Sequence, residues 1–555
     1  MFCSAPLPLI ALALCTGMLR GQGGPPPPPQ PLQPPAVPAA NPSTPARVAL
    51  GQTLFWDEQL SSTRSTACGT CHIPGAGSSD PRTLIGAAAS THPGADGVLG
   101  TPDDVAGSPG VPLSLADGAY IPAEDFGLEP QVTGRKAPPA INAAYMPTLF
   151  WDGRAGGAFN DPDSGELLIP NGGALENQAL GPLLSTAEMG HLGRNLTDVA
   201  LRVEQSEPLA LSPALPAALA AWIGERSYAA LFQEAFGSEG VTPARMGLAI
   251  AAYERTLFSD QTPWDAFAAS GPGALTPLEN QGRQVFVQAG CRVCHSGALF
   301  SDTQFHYIGV RPPPEDFGRF ETTGVPGDRG SMKTPSLRNV QLRAPFMHGG
   351  QLATLAQVVD FYDRGGDFNA PNKAPQIQPL GLSPGEKNAL VAFLGRPLTD
   401  PRVLAESGPF ERPLLASEAG RLPSLFGAPS PGSAGLPPQA VAVEPPHQDN
   451  PNLTLALQRG LGGAPVWLGL DLAPGSGAPL HGAASWLAFS PAVQLLPLGA
   501  LSGSGPGAGW LSAVADLSVI GPSLVGVNVY AQWFVIDPGA SGGLAASAGV
   551  ELSVF

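Results

Sequence analysis

The most informative part of the sequence is STACGTCHIPG, residues 65–75. It contains Cys68, Cys71 and His72 in the spacing Cys-x-x-Cys-His. The same spacing returns further along the chain at Cys291, Cys294 and His295. Three kinds of site use this spacing: a structural zinc site, a thiol–disulfide redox pair, and the covalent attachment of a c-type haem.

The histidine and the small number of cysteines favour haem attachment. A structural zinc ion needs four protein ligands, and each motif supplies at most three. The chain has six cysteines, and the two outside the motifs, Cys3 and Cys15, lie in the N-terminal leader. A thioredoxin-like pair does not need the adjacent histidine and belongs in a βαβ setting, which this sequence does not indicate. Two covalently attached c-type haems are therefore predicted, with each histidine ligating an iron.

Composition limits the classes to which the chain can belong. Its 555 residues suit two to four domains, and 43% hydrophobic residues suffice for sizeable cores. The 70 glycines and 64 prolines indicate long loops and linkers. The formal charge of −17 argues against nucleic acid or an anionic membrane as a partner, because both attract basic surfaces.

The N-terminal segment has features of an export signal. Residues 1–22 contain an apolar run, residues 7–14, that is too short to span a bilayer and fits a signal peptide. We expect a periplasmic or otherwise exported protein with no membrane span. Residues 23–45 are rich in proline and are predicted to form a semi-rigid linker.

Helical signals dominate residues 46–400 and predict a mainly α body. Capping boxes begin helices at residues 276–279, 354–357 and 383–386. Residues 80–125 are rich in glycine and aspartate and are interpreted as an insertion. In it, Asp96, Asp103 and Asp104 suit either a calcium ion or a solvated acidic loop.

The sequence changes character after residue 400. Residues 401–450 are rich in proline, glycine, alanine and serine, and they are predicted to form a linker. In residues 451–555, stretches such as LVGVNVYAQWFVID alternate apolar residues with a period of two. We expect a small C-terminal all-β, sandwich-like module with a targeting or structural role.

Longer stretches occur in a fixed order around the two motifs. They are LGQTLFWDEQLSSTRSTACGTCH, INAAYMPTLFWDGRAGG, ENQALGPLLSTAEMGHL and KTPSLRNVQLRAPFMHGGQLATLAQVVDFYDRGG. Together they resemble the bacterial di-haem cytochrome c peroxidase and MauG family over residues 46–400. The resemblance implies two cytochrome c-like domains, residues 46–275 with the peroxidatic haem and residues 276–400 with the electron-transfer haem.

The resemblance also implies the ligands of the two irons. His72 would ligate the first iron and His295 the second. Peroxidases of the family place a methionine as the sixth ligand of the second iron, and this chain has Tyr362 there, as MauG does. A phenolate would stabilise oxidised iron. Met347 is the fallback ligand.

The family's distal pocket is matched residue by residue. Gln178, Pro182 and Glu188 occur at the spacing of its glutamine, proline and glutamate. By resemblance, Glu188 would move the proton that cleavage of the O–O bond requires, Gln178 would orient peroxide, and Pro182 would keep the sixth site open. Trp151 matches the tryptophan between the haems, a relay for electrons or holes.

Two family features are altered in this chain. Peroxidases of the family often have a removable distal histidine. This chain has Leu128 at that position, and leucine cannot ligate iron. The first haem is therefore expected to be five-coordinate. His92, in the insertion, is the alternative distal ligand. Lys136 and Arg343 stand where the family commonly binds calcium. Their charges disfavour calcium and suggest that an ammonium replaces it.

These features predict an exported peroxidase that reduces hydrogen peroxide to water with electrons passed from the second haem to the first. Its electron donor would be a small cytochrome or a cupredoxin. One alternative is a MauG-type oxidase or oxygenase acting on a protein or organic substrate, which Tyr362 and Leu128 favour. Another is a di-haem electron carrier without catalysis.

Overall fold

A computed structural model describes residues 31–520 and 523–555 of the chain. The predicted signal peptide, residues 1–22, and the first part of the proline-rich linker, residues 23–30, lie outside the described residues. Helix accounts for 29% of the chain and strand for 19%, so a mainly α fold is not confirmed for the chain as a whole. Helices dominate up to residue 404, and strands dominate from residue 424 onward.

Two helical lobes carry the two Cys-x-x-Cys-His motifs. We call residues 45–270 the first lobe and residues 277–404 the second lobe. Within the described part of the chain, no helix is long and apolar enough to cross a membrane. The α-helices are α1 Pro45–Trp56, α2 Cys68–Cys71, α3 Ala174–Leu180, α4 Leu196–Gln205, α5 Ala217–Ile223, α6 Tyr228–Phe236, α7 Pro243–Glu254, α8 Pro263–Ser270, α9 Pro277–Gln288, α10 Phe320–Thr323, α11 Leu355–Asp363, α12 Pro384–Leu394, α13 Pro401–Leu404 and α14 Leu517–Ile520.

Each lobe is built around two helices that cross at a glycine. In the first lobe α1 packs on α7 at Gly51, where a Cβ atom would clash with the carbonyl group of Ala249. In the second lobe α9 packs on α12 at Gly282, where a Cβ atom would clash with the carbonyl group of Ala389. A larger residue at either crossing would push the helices apart. In both lobes the first helix of the pair leads into the motif, so the two motifs occupy equivalent places.

The predicted capping boxes are confirmed and set the starts of three second-lobe helices. The side chains of Thr276, Thr354 and Ser383 each accept a hydrogen bond from the backbone N–H three residues later. The glutamate or glutamine at that later position bonds back to the N–H of the cap. These caps fix the direction in which α9 approaches the second motif and α11 approaches the second cavity described below.

The C-terminal module consists of two main sheets and one two-stranded pair, β11-β12, and the pairs β1-β2, β3-β4 and β5-β6 lie in the helical lobes. One sheet has the order β13-β10-β15-β17-β7, with β16 also paired to β15, and the other has the order β14-β9-β8. Apolar residues of both sheets, among them Leu457, Val466 and Trp533, share one buried core. The strands are β1 Thr91–His92, β2 Val105–Ala106, β3 Phe159–Asn160, β4 Leu167–Ile169, β5 Phe305–His306, β6 Met332–Lys333, β7 Ser424–Phe426, β8 Gln439–Val441, β9 Leu453–Gly462, β10 Pro465–Asp471, β11 Pro474–Leu480, β12 Ala483–Leu487, β13 Gln494–Ala500, β14 Gly505–Ala515, β15 Asn528–Ile536, β16 Leu544–Ala546 and β17 Gly549–Ser553.

The module departs from the sequence expectation at its edges. Strands β7 and β8 lie in residues 401–450, which the sequence predicts as a linker, and they complete the two sheets. The predicted alternation is seen in β15, where Ala531, Trp533 and Val535 are buried in the shared core. Val525 is exposed because the strand begins only at Asn528.

The module docks on the insertion of the first lobe. The Tyr120 hydroxyl donates a hydrogen bond to Glu444 Oε1 at 2.8 Å, and both side chains are fully buried. The hydroxyl of Ser512 donates to the carbonyl oxygen of Tyr120 at 2.7 Å. The N–H of Leu128 donates to Gln458 Oε1 at 2.9 Å. The insertion is therefore held between the first lobe and the module.

A buried glutamate links the chain beyond the second lobe to the first lobe and predicts a pH effect on stability. Burial raises the pKa of Glu58 from 4.5 to about 8. Its Oε2 accepts a hydrogen bond from the N–H of Ala416 at 2.8 Å, while Oε1 has no partner. The folded protein therefore holds a proton here that the unfolded chain releases, and stability falls as the pH rises from about 4.5 to about 8.

We expect the stability of the Glu58→Gln protein to depend less on pH between about pH 4.5 and about pH 8. The gain in stability over the wild type should be largest above the pKa that Glu58 has in the folded protein. The check is thermal unfolding of both proteins, followed by circular dichroism at about pH 5.5 and about pH 8.5. Equal pH dependence in the two proteins would contradict the assignment.

Candidate active site

Each motif opens into a cavity of its own. The first cavity has a volume of 660 Å³ and is lined by Cys71 and His72 among other residues. The second has a volume of 220 Å³ and is lined by Cys291, Cys294 and His295. Cofactor sites commonly have volumes of about 300–1,000 Å³, so the first cavity lies within that range and the second is tighter.

The two motif histidines make the same hydrogen bond. His72 Nδ1 lies 3.2 Å from the carbonyl oxygen of Ser78, and His295 Nδ1 lies 2.9 Å from that of Phe300. A carbonyl oxygen only accepts, so the ring proton is on Nδ1 and the lone pair of Nε2 is free. Burial lowers the pKa of both rings, which favours the neutral imidazole. This is the form in which histidine ligates iron.

The motif cysteines do not have the properties of a redox switch. All four are free thiols. Burial raises the pKa of Cys68 to about 12 and that of Cys291 to about 11. Reactive cysteines need a lowered pKa, because the thiolate is the nucleophile. A thiol–disulfide function is therefore disfavoured.

A zinc site is not supported either. Within the described residues one group of three side chains meets the geometry for a metal ion, formed by Cys294, Asp302 and His306. It leaves out Cys291 and His295. Hydrogen bonds to Cys294 and Asp302 raise the pKa of His306 to about 9, and the group supplies three ligands at most. The motifs therefore do not form the four-ligand shell that structural zinc requires.

The structure brings Gln178, Pro182 and Glu188 together on the wall of the first cavity, with His72. Gln178 lies in the last turn of α3, and Pro182 follows the end of that helix. Glu188 lies in a tight loop in which the carbonyl oxygen of Ser185 accepts from the N–H groups of residues 188, 189 and 190. Burial raises the pKa of Glu188, against smaller lowering effects of Ser185 and Arg154. A buried carboxyl group, which holds a proton more readily than an exposed one, thus faces this cavity.

The structure places Leu128 and His92, the alternative distal ligand, differently with respect to the first cavity. Leu128 is fully buried against the C-terminal module and does not line the first cavity. His92 does line it, but its Nδ1 accepts a hydrogen bond from the N–H of Gly94 at 3.1 Å. The ring proton must then be on Nε2, which leaves no free lone pair there.

Tyr362 lines the second cavity together with Leu355, Val358 and Val359, which share its face of α11. Burial raises the pKa of Tyr362, and the nearby motif cysteines act in the same direction. A buried tyrosine usually forms a hydrogen bond through its hydroxyl. Among the described residues, no hydrogen bond to the Tyr362 hydroxyl contributes to its pKa. Met347 lines the same cavity. The free hydroxyl makes Tyr362 the better candidate ligand of the two.

A shared wall separates the two cavities. Trp151, Lys136, Pro139 and Lys333 line both of them. The indole Nε1 of Trp151 donates to the carbonyl oxygen of Lys136 at 2.7 Å. Its ring meets that of His348 edge to face, with 6.3 Å between the centroids. Trp151 therefore has a fixed orientation between the two sites.

Comparison with known proteins identifies the family. The family model for di-haem cytochrome c peroxidase matches residues 45–272. The methylamine utilization protein MauG of Methylorubrum extorquens is 33% identical over 359 residues, covering 64% of this chain and 79% of that protein. The cytochrome-c peroxidase IdrP1 of Denitromonas iodatirespirans is 31% identical over 425 residues, covering 70% of this chain and 91% of that protein. The chain belongs to the di-haem cytochrome c peroxidase and MauG family.

Relatives named peroxidase and MauG are oxidoreductases, so this member of the di-haem family is an oxidoreductase too. A crystal structure of a MauG-like protein associated with microbial copper homeostasis is 27% identical, with a TM-score of 0.49. It covers 69% of this chain, and the match includes 97% of that protein.

The two cavities fit the haems that the family implies. Their shared wall and lining contain Lys136, Lys333 and Arg343, which are buried and have no carboxylate partner among the described residues. Burial lowers their pKa values, to about 7 for each lysine and about 10 for the arginine. Buried cations without counter-charges are costly, and the propionate carboxylates of a haem would supply those charges. Together with the free Nε2 atoms, this donor set suits haem.

Glu254 is not among the site residues predicted from the sequence, and the aspartates of the insertion differ from the calcium site considered for them. Glu254, at the end of α7, lines the first cavity with one unpartnered oxygen, and burial raises its pKa to about 8. Its signal in the sequence is a carboxylate in an otherwise apolar helix. The carboxylates of Asp96, Asp103 and Asp104 accept hydrogen bonds from backbone N–H groups of their own loop. Within the described residues the three carboxylates do not converge on one point.

Proposed function

We propose that this protein is a di-haem peroxidase that reduces hydrogen peroxide to water at the first cavity. The observation that carries the proposal is the presence of Gln178, Pro182 and Glu188 on the same cavity wall as His72. The reaction consumes one peroxide, two electrons and two protons and yields two water molecules. Homologues named cytochrome c peroxidase support peroxide as the oxidant.

In this proposal the cofactors are held by the motif residues. Cys68 and Cys71 would attach the first haem, and Cys291 and Cys294 the second, while His72 and His295 would ligate the irons. The bound haem supplies an iron that can bind peroxide oxygen and exchange electrons, which no side chain can do. The remaining chemistry falls to the side chains around the cavity.

Glu188 handles the proton of the peroxide. Its carboxylate takes the proton from the oxygen that is held in the cavity and returns it to the oxygen that leaves as water. The raised pKa of Glu188 suits a group that must both accept and donate a proton. Gln178 orients the peroxide through its side-chain amide. Pro182 presents no ligand atom, so the position facing it stays open to peroxide.

Electrons enter at the second cavity and pass the shared wall at Trp151. A small cytochrome or a cupredoxin is the donor that we propose, and the charge of −17 suits a basic protein of this kind. Tyr362, as the second ligand of the iron at His295, would hold that iron in its oxidised form. We further propose export, which the apolar leader supports.

The experiment measures hydrogen peroxide consumption by the holoprotein with both haems attached. It uses a reduced small cytochrome or cupredoxin as donor, and the donor is followed by its absorbance. Two donor molecules oxidised for each peroxide consumed is the expected result. Peroxide that changes neither haem spectrum would overturn the proposal in favour of an electron carrier.

A second candidate function is a MauG-type oxidation of a protein or organic substrate. Tyr362 at the second cavity favours it, because an anionic ligand there stabilises highly oxidised iron. The two candidates differ in product. If peroxide changes the haem spectra but small donors remain reduced, and a protein or organic substrate gains an oxidative modification, the second function holds.

A further inference from the structure

Lys136 makes three hydrogen bonds to the second lobe and a fourth to Trp151 in its own lobe. Its backbone N–H donates to the carbonyl oxygen of His348 at 2.7 Å, and its own carbonyl oxygen accepts from the indole of Trp151. Its ammonium group donates to the carbonyl oxygen of Arg343 and, at 2.5 Å, to that of Pro345. One residue of the first lobe thus binds both the segment 343–348 of the second lobe and the tryptophan between the cavities.

The ammonium occupies a place suited to a cation. Two main-chain carbonyl oxygens converge on the Nζ atom, and Lys136 is only 4% exposed. Buried carbonyl groups need a donor or a cation, because leaving them unpaired is costly. Carbonyl oxygens are also the ligands that calcium takes. Here the tethered ammonium meets both needs, and the neighbouring charge of Arg343 adds to the repulsion of a metal ion.

A second lysine makes the reciprocal connection. Lys333, in β6 of the second lobe, donates from its ammonium to the carbonyl oxygen of Thr148 in the first lobe at 2.7 Å. Lys136 and Lys333 therefore cross the interface in opposite directions. Both line the two cavities, and neither has a carboxylate partner among the described residues.

We propose that the ammonium of Lys136 is a built-in cation of the interface between the lobes and takes the place of a bound metal ion. It joins the lobes without calcium and, through the backbone of Lys136, holds Trp151 in its orientation. The part that concerns Trp151 rests on the proposed function, whereas the part that concerns the cation does not.

The test uses the holoprotein in four forms: wild type, Lys136→Met, Lys136→Asn and Lys373→Met. Methionine keeps the length of the side chain and removes the charge. Lys373→Met is the matched control, because its ammonium bonds to Gly365 and Asn369 within the stretch around the second cavity and does not cross the interface. Metal analysis, thermal unfolding and the ferric absorption spectrum are recorded with calcium and with EGTA. None of these readouts depends on turnover with peroxide.

We expect the wild type to contain no stoichiometric calcium and to unfold at the same temperature in calcium and in EGTA. Lys136→Met is expected to lower the unfolding temperature by about 4 °C or more, and Lys373→Met to lower it less. Lys136→Asn, which frees the carbonyl oxygens and adds an amide oxygen, is expected to be less stable in EGTA and to recover in calcium.

Three results would overturn the proposal. The first is stoichiometric calcium in the wild type, with a lower unfolding temperature after chelation. The second is a Lys136→Met protein as stable as the wild type. The third is a Lys136→Asn protein that calcium does not stabilise, which would show that the carbonyl oxygens need a hydrogen-bond donor and do not form a cation site.

Discussion

Replacing Glu188 by glutamine is expected to slow the reaction of the ferric holoprotein with hydrogen peroxide by about 10²–10⁴-fold. The glutamine amide keeps the size and polarity of the side chain but can no longer take up and return a proton. Glu188 lines the first cavity together with Gln178 and Pro182. Stopped-flow absorbance of the haem bands after mixing with peroxide measures the rate.

The matched control is Glu58→Gln. It also replaces a buried glutamate of the first lobe whose pKa is raised, but Glu58 lies outside both cavities. This variant should react with peroxide at the wild-type rate. The assignment of Glu188 fails if Glu188→Gln reacts as fast as the control while its resting haem spectra are unchanged. Glu254, which lines the same cavity and has an unpartnered oxygen, would then be examined next.

Replacing Tyr362 by phenylalanine is expected to change the spectrum of the second haem. It is also expected to raise the reduction potential of that haem by on the order of 0.1 V or more. Axial ligands set haem potentials over a span of roughly 0.8 V, so a change of this size is within their reach. Phenylalanine keeps the packing of the ring against Val358 and Val359 but removes the only atom that can ligate. Tyr362→Met, which introduces a neutral sulfur ligand, should raise the potential as well. Spectroelectrochemical titration of the holoprotein measures both.

Tyr307→Phe is the control for this experiment. Tyr307 lines the same cavity, but its hydroxyl donates to the carbonyl oxygen of Arg311 at 2.8 Å and is therefore already engaged. Its removal should leave the potential of the second haem almost unchanged. If Tyr362→Phe and Tyr307→Phe have equal and small effects, Tyr362 is a packing residue, and Met347 becomes the candidate ligand.

The parts of the site that the sequence predicts well are formed by residues that are close together in the sequence. The three residues of each motif are separated by one turn of chain, so their convergence follows from local geometry. Likewise, Leu355, Val358, Val359 and Tyr362 lie on one face of α11 because helical spacing alone puts them there. The capping boxes are local as well, and all three predicted ones are present.

The parts that could not be predicted depend on contacts between distant segments. Tyr120 and Glu444 are 324 residues apart, and neither stands in a pattern that indicates the other. The ammonium of Lys136 binds main-chain oxygens, and every residue has such an oxygen, so the sequence of residues 343–345 carries no signal for it. Strands β7 and β8 have three residues each, too few for a period of two to stand out against the surrounding prolines and glycines.

The measurement that tests the central claim most directly is the electron paramagnetic resonance spectrum of the ferric holoprotein, before and after addition of hydrogen peroxide. We predict one high-spin and one low-spin haem, with the high-spin signal lost on addition of peroxide, because the proposal leaves a site open on the first iron and assigns Tyr362 as a ligand of the second. Two low-spin haems, with the first responding to peroxide only after partial reduction, would contradict this account. That result would point to a distal ligand on the first iron, with His92 the residue to replace.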